Sequence, residues 1–305
     1  MMKKYEKMNV QCYVKRPIEM TFQNNVPRLL YICKNSPEFN GKYARVMHSH
    51  DNQMEVVLVY SGKSRCLIDD RIYEVKKGDL MIYNQGIVHD EMAGLEMADE
   101  FGYYCIGLDN FHLADKEQNT LTNAEQGYLF HTGSDFRDLC QMYEMIFQNL
   151  TKNTPGVEAF CNAMTQCLME KVITVTGAAK ENALITQTSK DNTLVLSRRI
   201  KEYMDENYKE QLTISDIGKA LFLSPYYVAH VFKDASGYSP IQYLLRRRIG
   251  EAQNLLLETD MPIAQIALEV GFDNQSYFSI QFTKNVGMPP LQFRKNYLVQ
   301  LSDAM

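Results

Sequence analysis

Between residues 212 and 297 the chain repeats itself, and few folds accommodate such a repeat. The stretch ISDIGKALFLSPYYVAHVFKDASGYSPIQY (214–243) lies over IAQIALEVGFDNQSYFSIQFTKNVGMPPLQF (263–293). The shift is 49 residues at first and 50 after one extra residue in the turn. Ile217 falls on Ile266, Tyr227 on Tyr277, Phe232 on Phe282, Gly237 on Gly287 and Pro240 on Pro290. Each copy reads as a short helix, a tight turn, a second helix and a Gly-x-x-Pro exit. That is a helix-turn-helix, present twice.

The second helix of each copy mixes aromatic and polar residues, and helical spacing separates them. In the first copy Val228, Val231 and Phe232 share a face that packs inward. Tyr226, Ala229, His230 and Lys233 stand at i, i+3, i+4 and i+7 and project together on another face. The second copy presents Ser276, Ser279, Ile280 and Thr283 at the corresponding places, with Asn274 and Gln275 at the helix start. Phe278 and Phe282 anchor that helix to a core. In a DNA-binding helix-turn-helix the second helix enters the major groove, where amides and hydroxyls exchange hydrogen bonds with base edges.

The segment joining the copies, 239–258, spans ~30 Å if it is one helix, close to the ~34 Å between successive major-groove segments. It carries Arg246, Arg247 and Arg248, and Lys284, Arg294 and Lys295 follow with no acid between Asn274 and Tyr297. The expected DNA-contacting set is therefore Tyr226, Ala229, His230, Lys233, Arg246, Asn274, Gln275, Ser276, Ser279, Ile280, Lys284 and Arg294. So modest a positive charge implies moderate non-specific binding and strong dependence on the right sequence.

Charge divides the chain. Residues 193–305 hold 12 basic and 12 acidic residues, so the whole net charge of −5 lies in residues 1–192. An acidic half is a poor partner for nucleic acid. With 305 residues the chain has room for two domains. No apolar run approaches the ~20 residues of a membrane span, and the basic start MMKKYEKMNVQCYVKRP lacks the apolar stretch of a signal peptide. Seven scattered cysteines without a C-x-x-C pair read as free thiols of a cytoplasmic protein.

Between residues 44 and 109 short runs alternate with turns: MEVVLVY (54–60), SRCLI (64–68), RIYEV (71–75), DLMIY (79–83) and YYCIGL (103–108). Strands at this spacing predict a small barrel or sandwich. Helical periodicity follows over 135–150 and, after Pro155-Gly156, over 157–175. The apolar surface of that pair exceeds what one sheet covers, so it serves either internal core or a dimer interface. Residues 178–193 are polar and without periodicity, as a linker would be. The expected division is a domain over 1–177, a linker over 178–193 and a DNA-binding domain over 194–305.

Residues 194–297 resemble the DNA-binding domain of AraC-type transcription regulators, named for the arabinose regulator. The resemblance rests on Ile266, Ala267, Gly271, Phe272, Ser276, Tyr277, Phe278, Phe282, Gly287, Pro290, Phe293 and Arg294 in the second motif. In the first it rests on Ser224, Tyr227, Phe232, Lys233, Gly237, Pro240, Tyr243, Leu244, Arg248 and Ala252. Gly218 departs from the usual Ala and Pro289 from the usual Thr or Ser. Gly218 is expected to cost helix propensity, roughly 1 kcal/mol, without altering function.

His48, His50 and Glu55, as H-x-H-x4-E, and His89 after Gly78, Asn84 and Gly86 resemble the two motifs of a cupin barrel. The leading Gly41 is one residue out of step and Ala93 replaces an Asn. The resemblances together imply an α+β multidomain chain: a cupin-like β-barrel with two flanking helices, then an all-α domain with two helix-turn-helix motifs. They imply a transcription regulator that senses a small molecule such as a sugar through His48, His50, Glu55, Tyr83 and His89. Residues 1–25 would then serve as an arm over the barrel mouth. Double-stranded promoter DNA, the effector, a second copy of the chain and RNA polymerase are the expected partners. No cofactor and no catalysis are expected. The alternative is a metal-dependent cupin enzyme with a DNA-binding appendage, its divalent metal held by His48, His50, Glu55 and His89, since three imidazoles and a carboxylate suit Fe, Mn, Ni or Zn. Phosphate loops, G-x-S-x-G elbows and H-E-x-x-H motifs are absent from the sequence.

Overall fold

The computed structural model describes residues 21–22, 26–37, 45–91, 99–123, 125–152, 154–182 and 192–295. The proposed arm, apart from Thr21 and Phe22, and Cys12, Gly41 and Ala93 lie outside the described residues. The strands are β1 (Arg28–Asn35), β2 (Met54–Ile68), β3 (Arg71–Lys76), β4 (Asp79–Tyr83), β5 (His89–Asp90), β6 (Asp99–Asp109) and β7 (Leu129–His131). They form one antiparallel sheet in the order β1-β6-β2-β4-β7, with β3 and β5 also paired to β2.

The runs 54–60 and 64–68, expected as two strands, are one. β2 pairs with β4 and β6 along its first part, then takes β3 as its partner from Lys63 onward. Pairing with β6 slips around Ser61, beside Gly62 at φ 66°. The glycine bends the strand rather than ending it, because β3 supplies new backbone partners as soon as β6 is left behind.

Alternation along β2 sends Met54, Val56 and Leu58 to one face and Glu55, Val57 and Val59 to the other, and all six are buried. The first face is covered by α1 (Phe136–Lys152) and α2 (Val157–Asn182), whose Leu139, Tyr143, Ile146, Leu168 and Val172 join its core. The Tyr143 hydroxyl donates to the Val56 carbonyl at 2.9 Å. The second face closes around Tyr83, Phe101 and Cys105. α2 continues to Asn182, so the segment expected as linker from 178 begins as helix.

Six further helices follow: α3 (Asn192–Glu206), α4 (Ile214–Leu221), α5 (Pro225–Ser236), α6 (Pro240–Glu258), α7 (Ile263–Glu269) and α8 (Gln275–Val286), with residues 290–295 helical again. Their starts follow from local chemistry. Thr213 and Asp216 form a reciprocal capping box on α4, Ser224 caps α5, and Ser239 with Gln242 boxes α6. Gly237 and Gly287 end α5 and α8 in the left-handed conformation, at φ 75° and 88°.

One apolar cluster holds these helices together and does not stop at the domain boundary. It includes Leu67 of β2 and Val46, Met47 and Val88 from the loops of the sheet domain beside Ile249, Ala252, Phe278 and Phe282 from the helices. Ion pairs Arg198–Asp70 (2.9 Å) and Lys201–Asp69 (3.0 Å) reinforce the contact. At its centre α6 touches the loop before β2 backbone to backbone: a Cβ on Gly250 would lie 1.8 Å from the Met47 carbonyl oxygen.

Candidate DNA-reading helices and a buried histidine cluster

α5 and α8 present the faces read from spacing. Tyr226, His230 and Lys233 on α5 are exposed and Ala229 is half-buried, while Val228, Val231 and Phe232 are buried. Tyr226 and His230 stack, with ring centroids 5.2 Å apart and 18° between planes. On α8, Gln275, Ser276, Ile280 and Lys284 are exposed and Ser279 is half-buried, with Phe278 and Phe282 buried beneath them. The two copies thus offer matching polar faces on matching helices.

Three residues of the expected set have other work. Asn274 is the N-cap of α8, its side chain accepting from the Tyr277 amide at 3.0 Å. Arg294 donates to the carbonyls of Leu256 (3.2 Å) and Met261 (2.7 Å), serving the end of α6 and the loop after it. Arg246 is held by Asp90, its Nε 3.0 Å from the carboxylate, and the Asp90 side chain is fully buried. Its neighbours are equally committed: Arg247 to Glu251 and Ser49, Arg248 to the carbonyls of Tyr208 and Glu210. The positive charge of α6 therefore faces the protein. Partners such as Asp90 and Ser49 lie some 150–200 residues away in sequence, beyond the reach of local spacing.

The histidines converge. His48, His50, Glu55 and His89 are all buried, and each offers one ligand atom within 4.8 Å of the others. The Nδ1 atoms of His48 and His89 stand 3.0 Å and 2.9 Å from the carbonyls of Val46 and Ile87. A carbonyl only accepts, so both rings carry the proton on Nδ1 and turn the Nε2 lone pair inward. Tyr31 donates its hydroxyl to Glu55 Oε1. Nε2 of His89 and of His50 lie 2.8 and 3.2 Å from the Glu55 carboxylate. These are ion-pair distances without hydrogen-bond alignment, so the three Nε2 atoms and Glu55 Oε2 have no hydrogen-bond partner. The fifth expected sensor residue, Tyr83, stacks its ring on His89 at 4.0 Å and closes the site.

Burial sets the electrostatics. It drives the His48 pKa well below the imidazole range, so that ring is neutral. Burial also opposes charge on Glu55 and His89, but at Glu55 the attraction of His50 and then His89 outweighs it, and at His89 the attraction of Glu55 does. The Glu55 carboxyl is held well below its usual range and His89 above its own. Donor atoms of this type suit a divalent transition metal rather than Mg or Ca. All five expected sensor residues, His48, His50, Glu55, Tyr83 and His89, are buried.

Elsewhere Arg28, Asn52, Gln85, Asp109, Asn119 and Asn162 line a polar cleft of about 590 Å³ that spacing did not single out. Some of its groups are committed: Arg28 pairs with Asp109, and Asn162 accepts from the Leu29 amide at 2.8 Å.

Two families match the chain in succession: residues 37–166 match the AraC-like ligand binding domain and residues 217–296 a helix-turn-helix domain. A ligand-binding sheet domain followed by paired helix-turn-helix units defines a DNA-binding transcription regulator. The two matched domains, in this order, are those of the AraC type. The chain is 24% identical over 285 residues to the HTH-type transcriptional regulator YdiP of Escherichia coli, covering 90% of this chain and 91% of that one. It is 25% identical over 260 residues to YdeC of Bacillus subtilis, covering 82% and 86%. The melibiose operon regulatory protein of Escherichia coli is 34% identical over 122 residues, 38% of this chain and 40% of that protein. Among the described residues no helix is long and apolar enough to cross a membrane.

Proposed function

We propose that the chain binds a promoter site in a sequence-specific manner, reads it with α5 and α8, and alters that binding when its sheet domain takes up a small molecule. It acts by binding, not catalysis, as a cytoplasmic homodimer that meets RNA polymerase at the promoter. The observation that carries the reading is the repeated exposed polar face: Tyr226, His230 and Lys233 on one helix, Gln275, Ser276 and Lys284 on its counterpart. Amides, imidazole and hydroxyls, that of Ser279 included, can exchange hydrogen bonds with base edges, and Ala229 and Ile280 supply close apolar contact.

Selecting bound fragments from a pool of random duplexes would define the site. His230→Ala and Gln275→Ala are each expected to weaken binding to it by about tenfold, since one base contact is worth roughly 1–3 kcal/mol, with thermal stability unchanged. Unaltered site preference in both variants would remove these residues from the reading set.

For the effector, the amide-lined cleft favours a polyhydroxylated molecule such as a sugar, because amides both donate to and accept from hydroxyls and a carboxylate accepts from them. The likeness to the melibiose operon regulatory protein supports the same class. Thermal-shift screening against mono- and disaccharides tests it. Unchanged stability with every sugar would set that class aside.

A further inference from the structure

We propose that His48, His50, Glu55 and His89 bind one divalent transition-metal ion, and that α6 reads whether the ion is bound. The ion is thus a second input to the DNA-reading domain, and its effect on DNA rests on the function proposed above.

The binding half stands on the geometry of the four donors. The three imidazoles and the carboxylate each offer a donor atom mutually within 4.8 Å, and the three Nε2 atoms and Glu55 Oε2 are buried with no hydrogen-bond partner. Buried polar atoms in folded proteins nearly always have one, so four orphans facing a common centre call for a ligand that accepts lone pairs. The surroundings are those of a metal site. Backbone carbonyls fix the tautomers of His48 and His89, and Tyr31 occupies the other oxygen of Glu55. Imidazole nitrogens with a carboxylate select Fe, Mn, Ni or Zn over the hard alkaline-earth ions.

The reading half stands on the residues between and beside these ligands. Ser49 separates His48 from His50: its hydroxyl accepts from Arg247 of α6 at 3.1 Å and its carbonyl accepts from Asn254 of α6 at 3.2 Å. Asp90 follows His89 and holds Arg246 of α6. Just upstream, the Val46 amide donates to Gln253 at 2.8 Å, and Gly250 leaves no slack against Met47. Both ligand-bearing segments are therefore fastened to the one helix that spaces the two DNA-reading units. An ion drawing 48–50 and 89 to a common point constrains what α6 is fastened to, and any such coupling must act in both directions.

The test uses the full chain. After stripping with a chelator, the protein is titrated with Mn²⁺, Fe²⁺, Ni²⁺ and Zn²⁺. Bound metal is measured by elemental analysis, and affinity for the selected duplex is measured in parallel. About one ion per chain is expected, with His48→Gln and His89→Gln each losing it. DNA affinity is expected to change at least fivefold between stripped and loaded protein. The double variant Ser49→Ala/Asn254→Ala should keep the ion but reduce that difference to below twofold. No retained ion, or equal retention by both glutamine variants, overturns the site. A bound ion with unchanged DNA affinity overturns the readout by α6. If the protein binds the ion yet retains no duplex in either state, the DNA-reading assignment falls and the metal site stands.

Discussion

Gly218 and Ala267 hold the same place in the two repeats, and the difference between them is not the simple loss of helix propensity that spacing implies. A Cβ at Gly218 would meet the Leu223 carbonyl oxygen at 2.7 Å, in the turn that aims α5. Gly218→Ala is therefore expected to lower stability by about 1–3 kcal/mol, the usual cost of overpacking, despite the better helix former. Urea titration decides the matter, and a stability gain would mean the turn relaxes freely. Phe282, fully buried under α8, should lose about 3–5 kcal/mol on truncation to Ala, read as the largest fall in denaturant midpoint among these variants. The exposed polar faces of α5 and α8 were legible because side-chain direction follows the helical period. The employment of Arg246, Arg294 and Asn274 was not, since a charged or amide side chain looks the same whether it faces DNA, a carbonyl or a distant carboxylate.

The helix starts and stops were written locally, in Thr213, Ser224 and Ser239 and in Gly237 and Gly287. The strands were less legible. The bend at Gly62 divides an apolar run that pairing keeps whole, and β1, with Lys34 and Asn35 among its apolar residues, lacks clean alternation. Capping at Asn274 carries its own prediction. Asn274→Ala should cost about 1 kcal/mol and Asn274→Ser should recover most of it, because either oxygen can accept the Tyr277 amide. Chemical denaturation of the two variants checks this. Equal losses would show that the cap contributes nothing. The histidine cluster was legible as a set of donor types at characteristic spacing, while its enclosure by Tyr31 and Tyr83 depends on how strands far apart in sequence come together.

At the scale of the molecule, the sheet and the helices share a core, which patterning within either half does not disclose. Gly250→Ala would drive a methyl into the Met47 carbonyl and is expected to part the two units. Scanning calorimetry should then resolve two transitions where the parent shows one. A single unchanged endotherm would mean that the contact yields easily. The commitment of Arg246, Arg247 and Arg248 to the protein has one more outcome. Lys219, Lys233 and Lys284 are the cations left exposed on the helices of the two readers, so docking on a duplex displaces few condensed counterions. At about −0.9 per neutralised phosphate, the plot of log affinity against log salt should have a slope of about −3 per chain. A slope twice as steep would mean that the arginines abandon Asp90 and Ser49 for the phosphodiester backbone, so a simple salt titration reports which surface α6 is holding.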